Sequence, residues 1–362
     1  MINPHQTISE LIEEAISNQR AREVIARRFG LATGERETLE EIGQSYGITR
    51  ERVRQIEENG LKALSAPTIL SALEPTFEYV RSHLREHGDL KREDVLLGDL
   101  TFVCMPVATS ENSDSAPTST KLRAEIPLCQ AALYLALVLG QSFIKEKEDS
   151  KFHPLWALNK KSVVLARKVI DYLAKHFNKA AETLEFKELY LRLQEIDKNI
   201  TEKALASYID ASKNIGLNKF GQYGLSHWSE ISPRGVRDKA YLILKQHGKP
   251  LHFREITELI NEHNIDHKRA QVETVHNELI KDSRFVLIGR GIYALSNWGY
   301  IPGTVSDVIA NVLKENGPLN KEEILKKVLE KRVIKENTIL INLQNRKIFN
   351  KDAEGKYSLR KS

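Results

Sequence analysis

The chain has 362 residues, 28% of them charged and 41% hydrophobic, with a formal net charge of +5 and a pI near 8.9. That balance excludes a disordered or fibrous chain and fits a soluble protein of several small domains; it permits nucleic-acid binding without demanding it. Only Cys104 and Cys129 are present, so no disulfide framework is expected and a reduced compartment suits the chain.

The start, MINPHQTISELIEEA, has no basic stretch followed by an apolar core, so no signal peptide is expected. Apolar residues at Ile8, Leu11, Ile12, Ala15 and Ile16 form a helical stripe that should pack on the first domain. Residues 38 to 64, TLEEIGQSYGITRERVRQIEENGLKAL, then carry three punctuation signals. Thr38 with Glu41 is a capping box, Gly47 ends a first helix, and Thr49 caps a second, which predicts helix, tight turn, helix. On a wheel the second helix places Arg50, Glu51, Arg54 and Gln55 within an arc of about 140°. Val53, Ile56, Gly60, Ala63 and Leu64 fall on the other side, to pack against Leu39, Ile42 and Ile48. The polar face offers the groups that read base edges: Arg to guanine, Gln to adenine, Glu to the cytosine amino group.

The string TLEEIGQSYGITRERVRQIE, with VIARRFGL at residues 24 to 31 before it, resembles region four of primary bacterial sigma factors over about residues 18 to 65. The resemblance implies docking on the −35 promoter element and on the β flap of RNA polymerase. It also implies base contacts by Arg50, Glu51 and Gln55, with Arg52 and Arg54 facing phosphates or neighbouring protein. Thr38, Thr49 and Lys62 are auxiliary candidates. The family's basic tail on this helix is thinned here by Asn59, Gly60 and Ala63, leaving Lys62 alone, so phosphate anchoring should be weaker. Residues 1 to 65 carry nine Lys/Arg against eleven Asp/Glu, so the arginine face is a patch on an acidic module. Region four closes a sigma factor but comes first here, and nothing after it resembles promoter-melting helices. A complete sigma factor is therefore not expected.

Past Leu64, Pro67 and Pro75 suggest a short connector, and the apolar run Ile126 to Gly140, too short for a bilayer, suggests a buried helix. The rest is organised by a repeat. Gly221-Gln-Tyr-Gly-Leu-Ser-His-Trp228 matches Gly291-Ile-Tyr-Ala-Leu-Ser-Asn-Trp298 at an offset of 70 residues, and Gly355-Lys-Tyr-Ser-Leu359 is the same ending without its Trp. Matching helix starts precede them at Leu184, Leu251 and Leu319, with a fainter copy from Leu90 to Leu158. The clearest unit reads as helices at 236–247, 253–263 and about 267–281, then a hairpin over 285–295 with Gly289-Arg290-Gly291 at its turn: a winged helix. These units resemble the HARE helix-turn-helix family.

The expected fold is mostly α: a sigma-region-four-like helix-turn-helix at 1–66, a divergent winged-helix unit at 73–160 with a disordered insertion near 108–121, and winged helices at 161–232, 234–301 and 303–362. In a winged helix the third helix enters the major groove and the wing touches a phosphate. Candidate contacts are Lys268, Arg269, Gln271 and Thr274 on the third helix with Arg290 at the wing, and Asn342, Asn345, Arg346 and Lys347 with Lys351 and Lys356 in the last unit. The helix at 201–210 is poor in base-reading groups and reads as structural. Trp228 and Trp298 are expected to cover small cores.

Histidines 263 and 267 have no completing ligand set, so no metal or other cofactor is expected. No phosphate loop, nucleophile elbow, H-E-x-x-H or paired-Cys motif occurs, so an enzyme is not expected. The composite implies a cytoplasmic, nucleoid-associated regulator that recognises promoter-like double-stranded DNA and touches core RNA polymerase. Two alternatives stand beside it: a polymerase-docking protein, and the DNA-recognition part of a restriction or defence system.

Overall fold

The computed structural model describes residues 4–104, 119–266, 268–352 and 354–360. The fold is mostly helical with small antiparallel sheets. Its contacts group into two bodies, residues 1–181 with 186–215, and residues 182–185 with 216–362.

The first body opens with α1 (Pro4–Ala15), α2 (Gln19–Phe29), α3 (Leu39–Tyr46) and α4 (Arg50–Leu64). Thr38 and Glu41 close the capping box in both directions: the Glu41 N–H donates to Thr38 Oγ1 at 3.2 Å and the Thr38 N–H donates to Glu41 Oε2 at 2.7 Å. Gly47 ends α3 in the left-handed region at φ 63°, and Thr49 Oγ1 accepts from the Arg52 N–H at 3.2 Å to start α4. The helix pair has only a small core of its own, Val24, Ile42 and Val53 with Leu39, Tyr46, Ile48 and Ile56 around them.

Its remaining support comes from α1 and from the elements C-terminal to α4. The proline-marked connector is a 20-residue helix, α5 (Pro67–Glu86). Pro67 sits in the first turn, where its missing N–H costs nothing, while Pro75 inside the helix costs about 3 kcal/mol. Ile69, Leu73, Phe77, Val80 and Leu84 are all buried along one stripe, at about 1.5–3 kcal/mol each, and they outweigh that loss. After β1 (Leu90–Arg92) come α6 (Glu93–Cys104), α7 (Ser119–Leu139), β2 (Ile144–Glu146) and β3 (Leu155–Ala157). The expected insertion lies outside the described residues as far as 118, and from Ser119 onward the chain is helical. The apolar run becomes the buried part of α7, and one continuous core joins Ile8, Leu11, Ile25, Phe29 and Leu64 to α5, α6, α7 and Trp156. Residues 1–66 and 73–160 thus share a core.

Two contacts fix the loop between α2 and α3 to α7. Gly34, at φ 81°, lies so close that a Cβ there would come within 2.3 Å of the Pro127 side chain. The Arg36 guanidinium stacks 3.6 Å over the Tyr134 ring. Helices α8 (Lys160–Ala180), α9 (Phe186–Gln194) and α10 (Glu202–Ala211) complete the body. The structural role expected for 201–210 matches the geometry: Leu205, Ser207, Tyr208 and Ile209 are buried, and Ser207 Oγ donates to the Leu90 carbonyl at 2.6 Å.

The second body contains β4 (Leu184–Glu185), β5 (Ile215–Leu217) from Gly216 onward, β6 (Gln222–Leu225), α11 (Val236–His247), β7 (Leu251–His252), α12 (Phe253–His263), α13 (Val272–Lys281), β8 (Phe285–Leu287) and β9 (Ile292–Leu295). It ends with α14 (Val305–Asn316), α15 (Lys321–Lys331), α16 (Glu336–Leu343), β10 (Phe349–Lys351) and β11 (Tyr357–Leu359). The repeat has a structural meaning. The leucine at each helix start pairs with the tyrosine of its wing: Leu184 with Tyr223, Leu251 with Tyr293, Leu319 with Tyr357. In the fainter copy Leu90 pairs with Ala157. In the last two units the pairing closes a separate small core, with Ile243, Ile256, Val275 and Tyr293 in one and Ile309, Ile324, Ile339 and Phe349 in the other. Trp298 is half-buried against the wing's apolar residues, and Gly224 lets Trp228 pack onto the strand.

Candidate nucleic-acid interface

Helix α4 presents Arg50, Glu51, Arg52, Arg54 and Gln55 to solvent, while Val53, Gly60 and Leu64 are buried and Ile56 and Ala63 half-buried. The capped N-terminus and the packing of Gly43 against the Ile48 carbonyl set the angle at which α4 leaves α3. The polar side chains hold one another. Arg54 makes a bidentate pair with Glu51, the closest contact 2.8 Å, and reaches Glu58 at 3.1 Å; Arg52 donates to Gln55 Oε1 at 3.1 Å. The Arg54 guanidinium keeps the Glu51 carboxyl below the usual carboxylate range. Exposed pairs of this kind contribute about 0–1 kcal/mol each, so re-aiming them onto a base or phosphate costs little. Arg50 and Lys62 make no hydrogen bond or ion pair among the described residues. The Thr38 and Thr49 oxygens are occupied as helix caps.

Sequence reasoning missed a groove of about 490 Å³ on the flank of this helix. Ile16, Ile48, Ile56 and Ala63 line it together with Arg20 and Arg52. The available signal was the pair of small residues on α4: a Cβ at Gly60 would meet Ile25 at 2.9 Å, so the helix approaches α2 closely there while Ala63 leaves space beside it.

In the second body several candidates are placed differently from the expectation. Helix α13 begins at Val272, so Lys268 and Arg269 lie in the preceding loop and Gln271 is its N-cap residue, leaving Thr274 on the helix. The cause is local. Asn261 clamps both backbone groups of Ala270, at 2.7 and 3.0 Å, and Asp266 Oδ1 accepts from the Lys268 N–H at 3.1 Å, which holds 268–270 out of helical form. Likewise α16 stops at Leu343, so Asn345, Arg346 and Lys347 occupy the turn before β10, where Asn345 Oδ1 accepts from the Lys347 N–H. Asn342 is on the helix, but it accepts from Ser306 at 2.8 Å and faces α14. Lys351 and Lys356 are exposed on the last wing, and Lys356 pairs with Glu354.

Arg290 is exposed at the tip of its wing, yet the strand beside it is occupied. Arg332, buried at 6% exposure, donates to the carbonyls of Ile288 at 3.1 Å and Leu287 at 2.9 Å, and also to that of Gly303. Burial lowers its pKa from the ordinary guanidinium value, with Asp307 opposing. This wing therefore docks the next winged helix along one side.

Of the two spaced histidines, His267 lies outside the described residues and His263 packs edge-on against Phe220. A different group, His83, His87 and Asp99, brings its ligand atoms within 4.8 Å of one another. The Lys91 ammonium already sits there, bonded to Asp99 and 3.4 Å from His83 Nε2, so a dication would meet a fixed positive charge. No helix among the described residues is long and apolar enough to cross a membrane.

Comparison with known proteins bears on both helix-turn-helix types. Residues 18–66 match the model of sigma-70 region 4, and residues 235–298 match that of HARE-HTH, a helix-turn-helix domain named for its occurrence in ASXL proteins and restriction endonucleases. Similar proteins include RNA polymerase sigma factor SigA of Nostoc sp., 48% identical over 62 residues, covering 17% of this chain and 15% of that protein. Those of Microcystis aeruginosa and Synechocystis sp. are each 41% identical over 85 residues, covering 22% of this chain and 20% and 19% of theirs. The chain thus spans at most about a fifth of the length of these relatives. Both matched families are DNA-binding helix-turn-helix domains.

Proposed function

We propose that this protein is a sequence-specific DNA-binding transcription regulator that recognises −35-type promoter DNA through α4. Arg50, Glu51 and Gln55 contact bases; Arg52, Arg54 and Lys62 contact phosphates, with the Thr38 and Thr49 caps holding the helix ends. The observation that carries this reading is the solvent-facing Arg/Glu/Gln surface of α4, opposite a buried Val53 and Leu64, inside a segment that matches sigma-70 region 4. Winged helices at 161–232, 234–301 and 303–362 extend the array, with Lys268, Arg269, Gln271, Arg290, Arg346 and Lys347 as secondary contacts. Selection of bound duplexes from a random pool tests the proposal. A defined motif should emerge, and Arg50→Ala and Gln55→Ala should each cost about 1–3 kcal/mol on it. A pool that enriches nothing, or variants that bind as the parent does, sinks it.

The groove beside α4 favours a second reading, in which this module docks on core RNA polymerase. Its lining of apolar side chains with two arginines suits an amphipathic segment of a partner. Recovery of core polymerase after nuclease treatment, lost on Ala63→Glu while duplex selection fails, would place docking ahead of DNA reading.

A further inference from the structure

The α4 reader lies in an acidic half of the chain. Residues 1–150 carry 17 Lys/Arg against 24 Asp/Glu, whereas residues 151–362 carry 37 against 25. Affinity for a duplex comes chiefly from phosphate neutralisation, so a reader in an acidic context needs a cationic surface elsewhere. Helix α8 carries one within the same body. Its 21 residues hold six Lys/Arg and a single acid, Asp171.

The distribution of those charges is the informative part. The buried face of α8 is Val163, Ala166, Ile170, Leu173 and Phe177. On the opposite side Lys161, Lys168, Lys175 and Lys179 fall within an arc of about 40°, along a line of about 27 Å. All four are exposed, and none makes a hydrogen bond or ion pair among the described residues. A solvated helix face normally intersperses acids at i+3 or i+4 with its lysines, and here a single acid, Asp171, stands at that spacing from Lys168 and Lys175. Asp171 lies at the edge of the stripe and is engaged by Lys151 at 2.7 Å. At the C-terminal end, burial and then the nearby charges of Arg192 and Lys179 depress the His176 pKa, so excess positive potential persists there.

The geometry points to the α8 lysine stripe as a sequence-independent grip for the sugar–phosphate backbone of a DNA duplex. Charge complementarity selects the occupant: a line of unpaired ammonium groups on a rigid helix matches a regular array of phosphates. The inference rests on the DNA-reading proposal only for the choice of ligand. The stripe supplies the electrostatic affinity that the acidic reader lacks and carries no sequence preference of its own.

The test uses the full chain with Lys161, Lys168, Lys175 and Lys179 all changed to Gln. These residues are exposed, so the helix should persist, and circular dichroism with a melting curve verifies that. Binding to a random-sequence duplex is measured between about 50 and 200 mM KCl, a range over which phosphate contacts weaken steeply. The magnitude of the slope of log K against log salt should fall by about 3.6, since each of four phosphate contacts contributes about 0.9. Sequence preference, measured by competition, should stay as in the parent. Arg50→Ala with Gln55→Ala should do the reverse, abolishing preference while leaving most of the slope. A stripe variant with the parental slope overturns the grip, as does a parent that binds no duplex. Binding to anionic phosphatidylserine vesicles that the stripe variant loses, with duplex binding intact, also overturns it in favour of a membrane. If no motif is enriched but the stripe still controls the salt slope, the reader fails and the grip stands.

Discussion

Helices α4 and α13 occupy the same place in a helix-turn-helix, yet they are built for different degrees of exposure to a ligand. Helix α4 has 15 residues, a Thr49 side-chain cap, and an outer face of Arg50, Glu51, Arg54 and Gln55. Helix α13 has ten residues, an N-cap Gln271 whose side chain makes no capping bond, and Glu273, Thr274, Asn277 and Ile280 outward. The difference continues in what surrounds them. The reader sits on a shared core of seven elements, whereas the wing beside α13 is clamped by Arg332 of the next unit. A common topology therefore does not transmit a common task; the exposed face and the freedom of the wing decide it.

This contrast can be broken at several points. The largest effect is expected at Arg332. Arg332→Ala should destabilise the second body by about 3 kcal/mol, because the carbonyls of Leu287, Ile288 and Gly303 lose their donor together, and limited proteolysis near residue 303 should accelerate. Unchanged melting and proteolysis would mean that the clamp is idle. On the reader's side, Gly34→Ala should cost a similar amount, about 3 kcal/mol, by forcing a left-handed Ala against Pro127. Duplex affinity should fall with it if the placement of α3 and α4 depends on that contact.

A pH scan sharpens the comparison from another direction. Burial lowers the pKa of His83, His153 and His176 below the ordinary 6.5, and all three belong to the first body. The unfolded chain then binds more protons than the folded one as pH falls through about 6.5, so stability present above that value is lost on acidification. Thermal melting should drop between about pH 7.5 and 5.5, and His83→Gln should flatten the decline. A melting curve insensitive to pH in that window contradicts the assignment. The smallest effect is expected for Thr49→Ala, about 1 kcal/mol of stability from the lost cap of α4, read by urea denaturation.

Local signals carried much of the reader. The capping box, Gly47 and the Thr49 cap appear as expected because each depends on atoms within four residues. The repeat was equally legible, since the leucine and tyrosine that mark it pair across the sheet in three units. The start of α13 was not legible, because an Asn261 side chain nine residues away from Ala270 holds the loop open. The two prolines suggest a short connector, yet the segment is a helix because long-range burial outweighs a local penalty.

By itself, then, the sequence determined the caps of α3 and α4, the polar face of α4 and the periodic Leu–Tyr pairing, all of which follow from short-range backbone geometry and amphipathic spacing. Tertiary structure decided the rest: that the reader shares its core with α5, α6 and α7, that Arg332 occupies one wing, and that four lysines of α8 stand unpaired. The physical reason is common to all three. Which apolar surfaces meet, and which charges find partners, depends on groups brought together from distant parts of the chain.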